Sequence, residues 1–190
     1  MANLITLAEY KAYNGINSTT QDAEINVLIP KISQLIKTYC NRTFIDFYDE
    51  NTYTYSDGNV PYIYLKECPT VNIASVEFSE DFGRTYTTLT EYTDYVLNLT
   101  HDRIESTDAI NGFVKALNGY KITYTGGYET TPEEIKLACL DLIGYYMKSD
   151  MSIKSTRNAG ANNTSIEYVT TANLPAHIRR VLDLYRLDLI

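Results

Sequence analysis

The strongest pattern in the sequence is an apolar stripe of helical spacing between residues 22 and 40. Apolar side chains recur there every three or four positions, at Ile25, Leu28, Ile29, Ile32, Leu35, Ile36, Tyr39 and Cys40. This spacing places one apolar face along an α-helix, so residues 22–40 are predicted to form the central helix of the core. Pro30 lies inside the pattern and lacks a backbone donor, which predicts a kink or a restart of the helix there.

A short helix is predicted before the central one, over residues 7–13. Thr6 and Glu9 have the spacing of a capping box, in which each side chain accepts from the other residue's amide. Gly15 is expected to end this helix, because glycine tolerates the left-handed conformation common at helix C-termini. The polar run 17–20 is expected to supply the cap of the central helix.

Two more helices are predicted in the last third of the chain. Thr131 and Glu134 form a second capping box around Pro132, which predicts a helix over 133–148 that packs against the central helix. A final amphipathic helix is predicted over 176–188, where it could cover its own core or dock on a neighbour. The segment before it, 150–172, is small, polar and aperiodic at its centre and is predicted to be a flexible loop.

Between the helices, the apolar pattern changes to a period of two. Residues 52–125 are therefore predicted to form a β-rich insertion. A turn at 57–59 separates two alternating runs and predicts a β-hairpin, with Pro61 marking an edge strand. Four tyrosines would line up across this hairpin: Tyr53, Tyr55, Tyr62 and Tyr64. A change of apolar parity near Ala74 predicts a bulge in the next strand.

The predicted fold class is α+β, a small antiparallel helical bundle with a β-rich insertion. Residues 1–172 are predicted to form a single domain, with a helical core at 1–50 and 126–150, an insertion at 51–125 and a loop at 150–172. Residues 173–190 are predicted to form a separate C-terminal docking helix and tail.

Composition and motifs argue against several functions. The net charge of −8 argues against a surface that grips nucleic acid, since phosphate contacts need clustered lysine and arginine. Phosphate loops, HExxH, CxxC and GxSxG motifs are absent, and only two histidines occur, so no enzyme activity, cofactor or metal is predicted. Three widely spaced cysteines favour reduced thiols, and neither a secretory signal nor a membrane span is recognised.

Two surface features remain open to interpretation. Residues 70–110 carry eight carboxylates against two arginines, a net charge of −6, which describes either a solvated face or a functional acidic surface. The chain also has 18 tyrosines and no tryptophan. The tyrosines of residues 53–64 suit strand packing, a protein interface or a carbohydrate-binding face.

Several segments, taken in order, resemble the head–tail connector proteins of tailed phages, also called adaptor or head-completion proteins. The similar segments are the opening Ile5–Ile16, the helix ending Tyr39–Phe44, the step Tyr62–Val71, and Ile122–Tyr128 followed by Pro132 and the helix after it. Asn14 stands where leucine is more usual in that family.

The resemblance implies a non-enzymatic virion protein at the head–tail interface, made in the cytoplasm of the host bacterium. It implies a ring, typically a dodecamer, that binds the portal protein and a tail or stopper protein, while genomic DNA passes through without sequence-specific binding. No cofactor and no membrane are implied. The alternative is a non-catalytic binding module for carbohydrate or protein that uses the tyrosine-rich β face.

Two sets of site residues follow as hypotheses. C-terminal segments of the family commonly reach into the portal, so portal docking is assigned to Ile178, Arg179, Arg180, Val181, Leu182, Tyr185 and Arg186. An acidic face toward the DNA conduit or solvent is assigned to Glu77, Asp81, Glu91 and Asp108.

Overall fold

The computed structural model describes residues 1–147, 154–157, 164–167 and 174–187. The helices are α1 (Leu7–Asn14), α2 (Asp22–Cys40), α3 (Glu133–Met147) and α4 (Ala176–Asp183). The strands are β1 (Thr52–Ser56), β2 (Tyr62–Tyr64), β3 (Thr70–Phe78), β4 (Thr87–Thr88), β5 (Tyr95–Asn98), β6 (Arg103–Ser106), β7 (Tyr120–Gly126), β8 (Lys154–Arg157) and β9 (Thr164–Glu167). The predicted α+β class is confirmed.

The chain divides into two compact units. The β unit comprises Met1–Ala2 and Arg42–Thr130, and the helical unit comprises Asn3–Asn41 and Thr131–Ile190. The division into a domain 1–172 and a separate tail stays a prediction.

The first helix has the predicted caps. The amide of Glu9 donates to Thr6 Oγ1 at 3.2 Å, and the amide of Thr6 donates to Glu9 Oε2 at 2.7 Å. Gly15 ends α1 in the left-handed conformation, with φ of 64°. Local sequence therefore determines both ends of this helix.

The central helix has the predicted bounds but not the predicted cap. It runs through Pro30 as a single helix and has no side-chain cap at its N-terminus. The predicted cap from residues 17–20 was wrong because the hydroxyls of Ser18 and Thr20 bond to each other at 2.7 Å, and Ser18 also accepts the amide of Thr20.

The core of the helical unit lies where α2 meets the other helices. α2 contacts α1, α3 and α4, which confirms the predicted packing of α3 on α2. The buried side chains include Ile25, Ile29, Ile32, Ile36, Ile135, Cys139, Leu142 and Ile143. Leu35, which was counted in the apolar stripe, is instead 38% exposed. The antiparallel order predicted for the bundle stays a prediction.

The β unit contains two antiparallel sheets, with strand orders β1-β7-β3-β4 and β2-β6-β5. The predicted hairpin of β1 with β2 was wrong: Tyr53 pairs with Thr123, while Ile63 pairs with Ile104. The expected turn is instead bonded to a distant segment, since the amide of Asn59 donates to the Phe113 carbonyl at 2.6 Å.

The tyrosine ladder therefore does not form. Tyr53 and Tyr55 lie on one sheet, and Tyr62 and Tyr64 lie on the other. The long strand β7 provides a better partner for β1, because its side chains alternate between buried and part-buried along all seven residues.

Other β predictions agree with the structure. The bulge expected near Ala74 is present as a register shift between Ile73 and Ser75. β2, which follows Pro61, occupies the edge of its sheet. The strand β4 has only two residues.

The segment predicted to be a loop, 150–172, contains β8 and β9, which pair antiparallel from Lys154↔Glu167 to Arg157↔Thr164. Threonine and isoleucine in these strands favour extended backbone. The rest of this segment lies outside the described residues, and its flexibility stays a prediction. α4 ends five residues before the predicted boundary at 188, which also lies outside them.

Tyr124 of β7 lies fully buried in the core of the β unit. Its hydroxyl accepts the amides of Lys66 and Glu67, each at 2.9 Å, and lies 3.2 Å from Thr54 Oγ1. One side chain thus connects the strand next to β7 with the segment that follows β2. Ile122 and Val76, both fully buried, pack in the same core.

Replacing Tyr124 with phenylalanine is expected to lower the free energy of unfolding by roughly 1–3 kcal/mol, because the buried amide of Glu67 and the part-buried amide of Lys66 lose their acceptor. Urea denaturation with an unchanged m-value measures this loss. Tyr53→Phe is the matched control, since Tyr53 is 57% exposed and its change should stay below about 0.5 kcal/mol. Equal losses for the two variants would contradict the assigned role of Tyr124.

Candidate interaction surfaces

The predicted docking residues of the C-terminal helix divide between two sides of α4. Ile178 and Leu182 are buried within the helical unit, with exposures of 2% and 0%. Cys40 Sγ donates to the Leu182 carbonyl at 3.6 Å, and the Tyr185 hydroxyl donates to Glu134 Oε2 at 3.0 Å. The apolar face of α4 therefore covers the core of its own unit, and Val181 is partly buried with it.

The other side of α4 is basic and carries an exposed leucine. Arg179 and Arg180 are exposed, and Leu184 is 80% exposed. Arg186 lies with its guanidinium 5.7 Å from the centre of the Tyr39 ring. Sequence reasoning did not select Leu184, because it falls outside the spacing of the buried face.

Asp183 fixes the end of α4. The Tyr39 hydroxyl donates to Asp183 Oδ1 at 2.5 Å, which raises the pKa of the tyrosine. Arg179 Nε lies 3.9 Å from Asp183 Oδ2, an exposed ion pair. These contacts of Asp183 hold the end of α4 in place, and Leu184 projects from its outer side.

The four carboxylates of the predicted acidic face have different local contacts. Glu77 Oε2 lies 3.3 Å from Lys121 Nζ, and Glu91 is exposed beside a bridge to Tyr95. Asp81 and Asp108 each organise a turn. The contacts of each carboxylate are made with its own neighbours, and none of the four depends on a shared carboxylate cluster.

Asp81 is the most strongly bonded carboxylate of this set. Its Oδ2 accepts from the Thr85 hydroxyl at 2.7 Å, and its Oδ1 accepts the amides of Thr85 and Arg84 at 2.8 and 3.0 Å. The Ser79 hydroxyl also donates to Oδ1, at 2.7 Å. The bonds from Thr85 are the main cause that lowers the pKa of Asp81 to about 2.

Asp108 is held in the same manner. Its Oδ1 accepts the amides of Ile110 and Asn111, both at 3.0 Å, and its Oδ2 accepts from Asn111 Nδ2 at 2.8 Å. The amide of Asn111 is the first cause of a lowered pKa at Asp108. The same hydrogen bonds therefore form the turn and keep Asp108 negatively charged.

The tyrosines of β2 are partly covered by an arginine. The Arg103 guanidinium lies 4.3 Å from the centre of the Tyr62 ring and 5.9 Å from that of Tyr64. Arg103 also forms an ion pair with Glu105 at 2.7 Å, and Asn98 donates to the same carboxylate at 2.8 Å. A sugar ring stacks on an uncovered aromatic face, so these contacts argue against carbohydrate binding at β2.

A groove of about 350 Å³ lies at one end of the four-stranded sheet, lined by Tyr55, Phe82, Gly83, Tyr86, Asn118 and Lys121. Lys121 Nζ lies 5.6 Å from the ring centres of both Tyr53 and Tyr86. Phe82 is 70% exposed and has a φ of 65°. The groove is aromatic and open, with no arrangement typical of catalysis.

Groups for metal or nucleophilic chemistry are poorly placed in the described part of the chain. Among these residues no group of three or more His, Cys, Asp or Glu could hold a metal ion. Burial raises the pKa of the Cys139 thiol to about 12, which makes it a poor nucleophile. None of the helices within the described ranges is both long and apolar enough to cross a membrane.

Comparison with known proteins identifies relatives along nearly the whole chain. Residues 3–187 match the sequence model of the head completion protein family. The chain is 23% identical over 185 residues to the head completion protein of Escherichia phage T5, covering 96% of this chain and 98% of that protein.

Solved structures share the fold. A chain in the neck of an empty gene transfer agent particle, computed with C6 symmetry, matches with a TM-score of 0.59 and 13% identity, covering 98% of this chain and 91% of that one. A chain in the neck of the native particle, computed with C12 symmetry, matches with a TM-score of 0.52 and 16% identity, covering 100% and 97%.

The family match spans both units, and it confirms the resemblance first found in the ordered sequence segments. The chain therefore belongs to the head completion protein family, a family of structural proteins of the phage virion.

Proposed function

We propose that this protein forms a ring, a dodecamer, between the portal and the tail or stopper, as part of the conduit that retains and then ejects the genome. Family membership over residues 3–187 is the observation that carries the proposal. The chains that share its fold belong to particle necks computed with C6 and C12 symmetry, which supports a ring. The role is structural and requires no catalysis or cofactor.

Portal docking uses the outer side of α4. Ile178 and Leu182 are buried and hold the helix in place, and Val181 and Tyr185 are partly buried with them. Arg179, Arg180 and Leu184 remain accessible, and Arg186 lies beside them in the sequence. Arginine and a projecting apolar side chain are typical anchors of protein interfaces. The docking site on the portal is accordingly acidic around an apolar pocket.

The acidic residues Glu77, Asp81, Glu91 and Asp108 face the DNA conduit. Negative charge on a channel wall repels the phosphate backbone, so the genome passes without binding. Asp81 and Asp108 suit this role because their hydrogen bonds keep them ionised, as their lowered pKa values indicate.

Variants on the outer side of α4 test portal docking. Arg180→Glu combined with Leu184→Ser is expected to weaken binding to portal rings of the same phage at least about tenfold, which corresponds to about 1.4 kcal/mol. Co-sedimentation of the purified chain with portal rings measures the affinity. Deleting the helix is a poorer test, because Ile178 and Leu182 belong to the core.

The matched control makes the same chemical changes in the β unit, at Lys115→Glu and Leu117→Ser, both exposed positions. Portal binding should be retained in this control. Unchanged binding of the α4 variant, or an equal loss in the control, would show that α4 is not the docking element.

The charge of Asp81 has its own test. Its pKa is lowered to about 2 from the ordinary 3.8, so the carboxyl should remain ionised at pH 3 in a carbon-detected NMR titration. Because the folded pKa lies below the unfolded one, the stability contributed by Asp81 is present above about pH 4 and is lost as the pH falls toward 2. Asp81→Asn assigns the resonance and should remove that part of the acid dependence. An ordinary titration near pH 4 would contradict the bonded geometry.

A further inference from the structure

Strand β1 is an outer strand of the four-stranded sheet with no device that protects its edge. It pairs with β7 in unbroken register from Thr52↔Tyr124 to Ser56↔Tyr120. Its five residues, TYTYS, include no proline and no charged residue. Proteins usually protect such edges with proline, charge, bulges or very short strands, because an unpaired edge invites another strand.

The other outer edges in the described residues have such devices. β4 has two residues, and β2 has three and follows Pro61. Beside β5, the Tyr92 amide donates to the Tyr95 carbonyl at 2.7 Å. β3, whose other side is covered by β4 only at Glu77 and Phe78, is distorted by two register shifts in its pairing with β7. Among the outer strands of these two sheets, within the described residues, β1 therefore differs in having no protecting device.

The outer side of β1 is accessible to a further strand. Tyr53 and Tyr55 are 57% and 54% exposed and lie on one face, where an added strand would cover them. Thr54 points to the opposite face and lies 3.2 Å from the Tyr124 hydroxyl. Within the described ranges, no backbone hydrogen bond joins β1 to a strand other than β7.

The chain also contains a strand pair that lacks a third strand. β8 and β9 form a two-stranded sheet, and no other described strand pairs with either of them. A two-stranded hairpin alone is marginally stable in water, while three or more strands are stable.

We propose that β1 of one copy pairs with the β8–β9 hairpin of a second copy of this chain, which extends the four-stranded sheet across the contact. The incomplete two-stranded sheet favours this occupant, because pairing with β1 gives the hairpin the neighbouring strand that it lacks. The contact joins two different surfaces, so each copy offers its edge to one neighbour and its hairpin to the other, and the series closes as a ring. The inference rests on the ring proposed above.

Paired cysteines test the contact in portal-bound assemblies of the full chain. One copy carries Tyr53→Cys or Tyr55→Cys, and a second, tagged copy carries a single cysteine at one of positions 154–157 or 164–167, so that both strands of the hairpin are tested. Both have Cys68→Ser, since the other two cysteines are buried. A disulfide needs Cα atoms within about 7 Å, so mild oxidation should join the two copies for at least one pair.

A control and a second variant separate the outcomes. Tyr64→Cys, on the short edge strand β2 and 48% exposed, should not cross-link to the hairpin positions. Tyr55→Lys adds a protecting charge to the β1 edge and should lower the number of copies per portal ring, while the fold is retained.

Different results would overturn different claims. Assemblies that bind the portal but give no cross-link between the two kinds of copy would overturn the pairing of β1 with a neighbour's hairpin and leave the ring intact. Failure of the unaltered chain to bind portal rings would overturn the proposed function and this inference with it.

Discussion

The β unit depends on the hydroxyl of Tyr124. Two sheets share one core there, and without this hydroxyl the buried amide of Glu67 and the part-buried amide of Lys66 would lose the acceptor that lies 2.9 Å from each. The network continues through the Glu67 carboxylate, which accepts the amide and hydroxyl of Thr43, each at 3.1 Å. The start of the β unit, the segment after β2 and the central strand β7 are thereby connected by buried polar contacts.

Two carboxylates of the predicted acidic face also combine a structural role with an electrostatic one. Asp81 and Asp108 close turns by accepting backbone amides, and those bonds also lower their pKa values. Carboxylates that form turns in this way keep their negative charge at low pH, because neutralising them would weaken the hydrogen bonds of the turn.

The accessible side of α4 was predicted only in part, for a physical reason. Amphipathic spacing correctly identified α4 and its apolar residues, since that pattern is local. The spacing does not distinguish an apolar face that covers its own core from one that binds a partner. Burial of Ile178 and Leu182 decided between these alternatives and left the arginines and Leu184 on the accessible side.

The sequence by itself determined where the helices begin and where α1, α2 and α3 end. The capping box at Thr6, the left-handed Gly15 and the apolar spacing of α2 act within a few residues, so local reasoning placed them within a residue or two. It also indicated the family, through an ordered set of short segments. Only the tertiary structure decided which strands are neighbours. An alternation of period two indicates which side chains of a strand are buried, but it does not indicate which strand lies beside it. β1 pairs with β7, more than 60 residues away in the chain, because β7 offers a strand with buried side chains along its length.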